Sequence, residues 1–585
     1  MIVSALCDYY DVLDKKKLIC PHGFESCNVK YEAILSENGD LLDLIAYENQ
    51  KNYQMPIRLK IPGIAASPVC DNFAYVFGGE VKNGVQELCQ KKFECAKELH
   101  IQMFENAESK EAKAIKAFFE KWKIEDVFEN EILKKHYGKK GEGFAGNIVF
   151  KLDGARTYFH ENEEIIRLWQ KKSADKKENS EEVVAQCSIT GQRQPLARII
   201  SQVQGVRGAN ATGASLICMQ QPSDSSYGLS RGYNARISEQ AMFKFYTTLQ
   251  YLLNSNSQKM FIGDATTVFW ANEKNGIYED IFLDFMNNAA DADDEEQTDK
   301  AKEIQEIVKT ILEDGIKGIP NEYEIDGNVQ FYVLGLSPNA GRISARFFYK
   351  NSFEEFCNKI KQHYDDISIY GGAKGKKRIT IGSLLYATIS PKSKDKKPNP
   401  LLGGAIMRAI LTGDSYPQLL LNQTILRVKT EASVTQARAA ILKGILNRKN
   451  RKNKKKEEIT MGLNEENKDY AYVLGRTFAV LEMIQKNALG DDINATIKDK
   501  FFASACANPA LVFPRLIKLA QFHLAKITPE SSRKYWDIKL GKLLSDGDMQ
   551  MFPKVQNMEN QGKFILGYYQ QTQENYKKRE KKEEE

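Results

Sequence analysis

The residues whose types and spacing most suggest chemistry are Gly208–Ser215, GANATGAS. They have the glycine spacing of a phosphate-binding P-loop with a hydroxyl at its end, but Ala214 stands where such a loop carries its lysine. A P-loop also needs a strand before it and, after it, a helix whose N-terminus faces the phosphates. The preceding PLARIISQVQGVR can be a strand; the following LICMQQPSD is short, apolar and stopped by Pro222, which reads as a strand or turn. A nucleotide-hydrolysing site is therefore not expected. The segment suits phosphate in another way. Gly205, Gly208 and Gly213 permit close backbone approach, and their N–H groups can form an anion-binding concavity. Arg198, Arg207, Asn210 and Thr212 add donors, Arg231 and Arg236 follow, and Tyr227 and Tyr233 can stack on exposed bases. The competing reading is an ordinary glycine-rich surface loop.

Other constellations are weaker. Ten cysteines are dispersed without a CxxC pair and six histidines are scattered, so a structural zinc is not supported and reduced thiols are the plain reading. No Ser/His/Asp or Cys/His arrangement stands out. His363, in QHYDD, reads as part of a charged surface helix, and DADDEE as a mobile acidic insertion without convergent ligand geometry. No catalytic residue, metal or cofactor is expected.

The elements that must hold these residues follow from periodicity. The chain has 585 residues with 27% charged and 42% hydrophobic residues and a net charge of +6, a multidomain globular composition that allows a polyanionic partner without demonstrating one. MIVSALCDYYDVLDKKK lacks the pattern of a secretory signal, and no apolar run is long enough to span a bilayer; a cytoplasmic protein is expected. VKYEAILSENGDLLDLIAYE predicts a hairpin, MPIRLKIPG and AYVFGG short strands, and the stretch from Gln86 to Trp122 helix. Ser238 predicts an N-cap for a helix with Met242, Phe245, Tyr246, Leu249 and Leu253 on one face. KMFIGDATTVFWA predicts a strand, and VQFYVLGLSPNAGRISARFFYK two strands around a polar turn. The fold class is α+β and multidomain: an N-terminal α+β domain over 1–170, a linker at 171–186, a central Gly/Arg-rich α+β region at 187–350, a helical region at 351–460 with a basic loop at 448–456, a helical bundle at 461–570 and a charged, disordered tail at 571–585.

Taken in order, CSITGQRQPLARIISQVQGVRGANATGASLICMQQPSDSSYG, YNARISEQAMFKFYTTLQYLL, IGDATTVFWA and FYVLGLSPNAGRISARFF resemble the large subunit of the type I-C CRISPR Cascade surveillance complex. CDNFAYVFG, LGRTFAVLEMIQKNAL and FFASACANPALVFPRLIKLAQFHL are similar to the same family. After PLAR the chain reads IISQ, where that family carries a histidine. The resemblance implies a non-catalytic DNA-recognition subunit of a prokaryotic cytoplasmic complex. Its implied partners are the guide RNA with its backbone, guide-RNA-processing and small subunits, the duplex target and its displaced strand, and a helicase-nuclease. Such a subunit reads a short protospacer-adjacent motif while base pairing reads the rest. Readings from other classes are a metal-dependent nuclease of the same defence system and a protein-only scaffold.

On that resemblance the N-terminal domain is where the motif would be read. Lys60 can reach a purine acceptor or a phosphate and Asn72 a base edge; alternatively Asn72 only caps a turn. Arg207, Asn210, Arg231, Asn234 and Arg236, with Tyr227 as a stacking platform, are the candidate strand-holding set. In SPNAGRISARFF, Asn339, Arg342 and Arg346 join them. Alternation puts both arginines and Ser344 on one side of a sheet, with salt-bridged structural arginines as the competing reading. The basic run Arg448–Lys456 is either a solvated loop or a contact to displaced DNA. The bundle after it is similar to the Cascade small subunit. Met461, preceded by KKKEEIT, is a candidate internal translation start, or simply follows a basic linker.

Overall fold

The computed structural model describes the chain except residues 22, 57, 59–63, 83–84, 137–145, 179–182, 220–221, 226–227, 274–275, 288–297, 372–378, 456–457, 491–493, 547–551 and 584–585. Lys60, Tyr227 and the DADDEE insertion lie outside the described residues, as does Lys456. The architecture is mixed α and β, with sheets in the N-terminal and central parts and helices in the C-terminal part. The chain forms two compact units: Met1–Ser201 with Ile217–Leu249, and Gln202–Leu216 with Gln250–Glu585.

The first unit is built on a four-stranded sheet. β1 (Phe24–Leu35) and β2 (Leu41–Pro56) are the expected hairpin. Its turn needs Gly39: φ is 86°, and a Cβ there would lie 2.4 Å from the Phe118 nitrogen. β3 (Cys70–Asn72) and β4 (Asn147–Leu152) complete the order β2-β1-β4-β3, with β4 parallel to β1. AYVFGG, expected as a strand, instead begins as the short helix α1 (Phe73–Val76), because Asn72 Oδ1 accepts the Ala74 N–H at 3.1 Å and starts a turn.

The helical stretch after Gln86 is two helices, α2 (Gln90–Met103) and α3 (Lys110–Lys121), preceded by a hairpin strand at Val85–Leu88. What restarts the chain as α3 is remote in sequence: the Glu164 carboxylate accepts the N–H groups of Glu108 and Ser109 at 3.0 and 2.7 Å. Ile115, Phe118 and Phe119 then recur at helical spacing and bury against Tyr31, Ala33 and Phe150 of the sheet. α4 (Glu163–Glu178) extends into the segment read as a linker, since its Glu and Lys residues are good helix formers.

The second unit contains an antiparallel meander in the order β8-β7-β6-β5. Its strands are β5 (Lys259–Ile262), β6 (Ala265–Ala271), β7 (Gln330–Asn339) and β8 (Arg342–Ser352). KMFIGDATTVFWA is thus two strands, not one. Gly263, at φ 62°, turns the chain so that Ile262 pairs with Ala265. One sheet face contributes Phe269, Phe331, Val333 and Phe347 to a core completed by α5 (Phe353–Ile367) and α6 (Pro400–Thr412). A second core joins α7 (Gln418–Glu431) and α8 (Gln436–Lys452) to α9 (Tyr470–Leu489) and α10 (Met558–Glu583), with three further helices at 497–507, 509–524 and 530–546. Three differences from the sequence reading follow. α8 absorbs Arg448–Lys452 of the expected basic loop. α10 runs through the expected tail to Glu583. The bundle core includes Leu421, Ile425 and Leu442, so it does not begin at Met461.

α9 and α10 meet backbone to backbone. A Cβ on Gly475 would lie 1.9 Å from the Phe564 carbonyl oxygen, and one on Gly567 2.2 Å from that of Tyr472. Gly475→Ala or Gly567→Ala is expected to destabilise the chain by about 1–3 kcal/mol in urea unfolding. Gly541→Ala, in a helix with open space around it, should stabilise by about 0.5–1 kcal/mol.

His100 is buried, stacks on Phe119 at 4.2 Å, donates from Nδ1 to the Ala96 carbonyl and accepts the Val69 N–H at Nε2. Burial lowers its pKa from 6.5 to about 4, and does the same for His160. The unfolded chain then binds more protons below pH 6.5, so stability is intact above that value and falls as pH drops towards 4. Thermal melting between pH 7 and pH 4.5 should show this fall, with a shallower pH dependence in His100→Gln.

Candidate nucleic-acid interface

The glycine-rich segment 202–216 folds as an excursion closed at its base by Val203 and Ala214, which exchange both backbone hydrogen bonds at 2.9 Å. Ser215 then adds alongside Arg342: its N–H donates to the Gly341 carbonyl at 3.1 Å, and its own carbonyl accepts the Ile343 N–H at 2.9 Å. At the other end the Arg207 N–H donates to Thr266 Oγ1 at 3.0 Å. The glycines allow this docking. Gly213 has φ 111°, with the Gln202 Cβ 3.0 Å from where its own Cβ would sit, and Gly208 (φ 81°) packs on Pro338.

This geometry answers the question the motif posed. Ala214 is fully buried, so a lysine there would be driven into the interior, and Ser215 is 5% exposed. The N–H groups of Gly213, Ala214 and Ser215 donate to Asn210, Val203 and Gly341 carbonyls, and that of Ala209 to Val206. Of the three glycine N–H groups that an anion-binding concavity would use, that of Gly213 is thus engaged by protein. What points outward is side chains: Arg207 and Asn210 from the loop, and Asn339 and Arg342 from the β7–β8 turn that the loop adjoins.

Arg346 is arranged differently from the expected alternation. The register shifts between Gly335 and Leu336, so Arg346 is the extra residue of a bulge. Its guanidinium lies 3.3 Å from Asp264 Oδ2, which also accepts Ser337 Oγ–H at 3.0 Å. The pair is part-exposed and contributes about 0–1 kcal/mol. Arg207 instead lies over the ring of Phe261, its guanidinium carbon 5.3 Å from the centroid. Sequence reasoning passed over Phe261, although strand alternation in KMFI separates it from buried Met260 and Ile262.

The remaining candidates belong to the first unit. Arg231 and Arg236 are exposed and bracket a short 3-10 turn, both at positive φ. Asn234 Nδ2 donates to the Leu229 carbonyl at 2.8 Å. This segment is tied to the chain before the loop: the Arg236 carbonyl accepts Ser188 N–H at 2.7 Å, and Gly232 N–H donates to the Arg198 carbonyl. Cys187 Sγ accepts the N–H groups of Ser238 and Ile189. Burial raises its thiol, but hydrogen bonding from the Ser238 side chain, then from the backbone of Thr190, Ser238 and Ile189, outweighs it and lowers the pKa to about 7. The block read as one Gly/Arg region is therefore divided, with Arg207 and Asn210 in one unit and Arg231, Asn234 and Arg236 in the other. Asn72 is half-buried with its Oδ1 engaged as the α1 cap, leaving its amide NH₂ for any further contact.

The basic run resolves into two parts. Arg448 is buried: Nε pairs with Asp366 Oδ2 at 2.9 Å, Nη1 donates to the carbonyls of Ala409 and Asp414, and the guanidinium sits 4.0 Å from the Tyr416 ring centre. Arg451 takes the other Asp366 oxygen at 2.7 Å. Lys452, Lys454 and Lys455 remain exposed. His363 is buried too, bonded through Nδ1 to the Tyr416 hydroxyl, rather than on a surface helix face; burial, then Arg448, lowers its pKa to about 3. Among the described residues no group of three His, Cys, Asp or Glu side chains is placed to hold a metal, and no helix is long and apolar enough to cross a membrane.

Compared with known proteins, the chain matches the family of CRISPR-associated proteins described as Cas_Csd1 over residues 6–576. The chain belongs to that family, and is thus a CRISPR-associated, Cascade-type component. A search of the curated proteins finds no match.

Arg448→Ala should lower stability by about 3–5 kcal/mol, because Asp366 stays buried without its principal partner. Lys452→Ala should change it by less than about 0.5 kcal/mol. Urea unfolding of the two variants checks both.

Proposed function

We propose that the protein is the non-catalytic large subunit of a type I-C Cascade complex. In this reading it recognises a protospacer-adjacent motif in duplex DNA through its N-terminal unit, promotes unwinding and R-loop formation, holds the displaced strand and recruits a helicase-nuclease. Its partners are the guide RNA with the backbone, processing and small subunits, and it works in the prokaryotic cytoplasm. The observation that carries the reading is the family match, which runs through both compact units.

The loop chemistry supports strand holding. Arg207 and Asn210 from the loop and Asn339 and Arg342 from the β7–β8 turn offer cationic and amide donors, where each neutralised phosphate adds salt-dependent affinity. Lys60 and Asn72 are the motif-reading pair of this reading. A shorter product starting at Met461 would hold all five C-terminal helices but leave bare the face that α7 and α8 cover in the full chain. It would need another surface there.

Because Asn72 also caps α1, Asn72→Ala would mix two effects; Asn72→Ser keeps a capping oxygen and removes the amide. Filter binding of the assembled complex should show Asn72→Ser weakening motif-bearing duplex about 5- to 100-fold more than non-specific duplex. Arg207→Ala should weaken all sequences alike and reduce the salt slope by about 1. Equal losses for Asn72→Ser on both duplexes remove its reading role, and DNA cleavage by the isolated chain with a divalent cation overturns the non-catalytic assignment.

A further inference from the structure

We propose that Phe261 and Arg207 form a single stacking platform that takes one unpaired base of single-stranded DNA and the phosphate next to it. The proposal rests on the strand-holding reading above and adds the residue that would hold a base rather than the backbone.

Phe261 is 51% exposed on β5, the outermost strand of its sheet, between Met260 and Ile262, which are 8% and 3% exposed. A single exposed phenylalanine is common and needs no role. This one is distinguished by what is fixed beside it. Phe261 pairs directly across from Thr266, and Thr266 Oγ1 is the acceptor for the Arg207 N–H. The backbone of the loop is thus pinned at the residue opposite the ring, and the Arg207 side chain lies over the ring at 5.3 Å. Gly205 (φ 91°) and Gly208 (φ 81°) flank Arg207 and let the chain make this approach.

The electrostatics favour an anion with an aromatic face. Arg207 forms no ion pair with a carboxylate among the described residues, and Asp264, the acid of the β5–β6 turn, is neutralised by Arg346. A guanidinium lying on a benzyl ring keeps its N–H edge free for hydrogen bonding while its plane stacks. In a single strand each base has a phosphate one nucleotide step away, so ring and cation match neighbouring groups of one ligand. Bases in a duplex are stacked within it and cannot lie on an external ring, which selects an opened strand. An aromatic platform tolerates any base, as expected for a displaced strand, since pairing with the guide reads the opposite strand.

The test uses the full chain and oligodeoxynucleotides carrying 2-aminopurine, whose fluorescence falls on stacking against an aromatic ring. Wild-type protein should quench the probe. Phe261→Leu should lose the quenching and weaken binding roughly tenfold, while its salt slope and melting temperature stay unchanged; Phe261→Trp should restore both quenching and affinity. Arg207→Ala should reduce the salt slope. If wild-type protein binds the oligonucleotide and Phe261→Leu binds and quenches equally well, the platform is wrong and the strand-holding reading stands. If wild-type protein does not bind single-stranded DNA alone or in the assembled complex, both fall. If Phe261→Leu leaves DNA binding intact but releases the chain from the complex, the ring is a protein contact and the proposal is overturned.

Discussion

Backbone hydrogen bonding governs the segment on which the functional argument turns. A chain that passes from a buried base to an exposed tip must pair the N–H and C=O groups it buries. In segment 202–216 this is done by Val203 with Ala214, Ser215 with the start of β8, and Arg207 with Thr266. Those donors at the base of the loop are committed to protein, so Gly213 serves docking, while the exposed Arg207 and Asn210 side chains face outward. A segment with P-loop spacing therefore becomes a brace on a sheet edge that displays arginine and asparagine.

The same accounting explains which basic residues are available to a polyanion. Arginines recur through the sequence, but their settings differ. Arg448 and Arg451 share Asp366 and tie α8 to α5, while Arg346 answers Asp264 across a bulge. Arg207 and Arg342 have no such carboxylate partner among the described residues. Charge that is neutralised within the fold contributes packing and register; charge left facing water can steer and hold nucleic acid.

Membership of the CRISPR-associated family rests on a match over residues 6–576, which runs through both compact units. The two compact units give that assignment a physical form. One carries the segment expected to read duplex DNA and the other carries the braced loop, each with its own hydrophobic core.

Much of the architecture was legible in the sequence because it is local. Alternation around SENGD specified the first hairpin, Ser238 the start of its helix, and the Phe and Leu spacings the buried helix faces. Among the described residues no α-helix follows GANATGAS before Glu239, as the short, Pro222-stopped LICMQQPSD suggests. Tertiary structure decided what depends on distant partners. Glu164 starts α3 from 55 residues away, Gly263 converts one apolar run into two strands, and the burial of Arg448 turns a basic run into a structural lock. Most consequentially, it placed Arg207 over Phe261 and in a different compact unit from Arg231 and Arg236. Sequence proximity constrains only the covalent path, whereas pairing of backbone groups and burial of side chains select which residues finally share a surface.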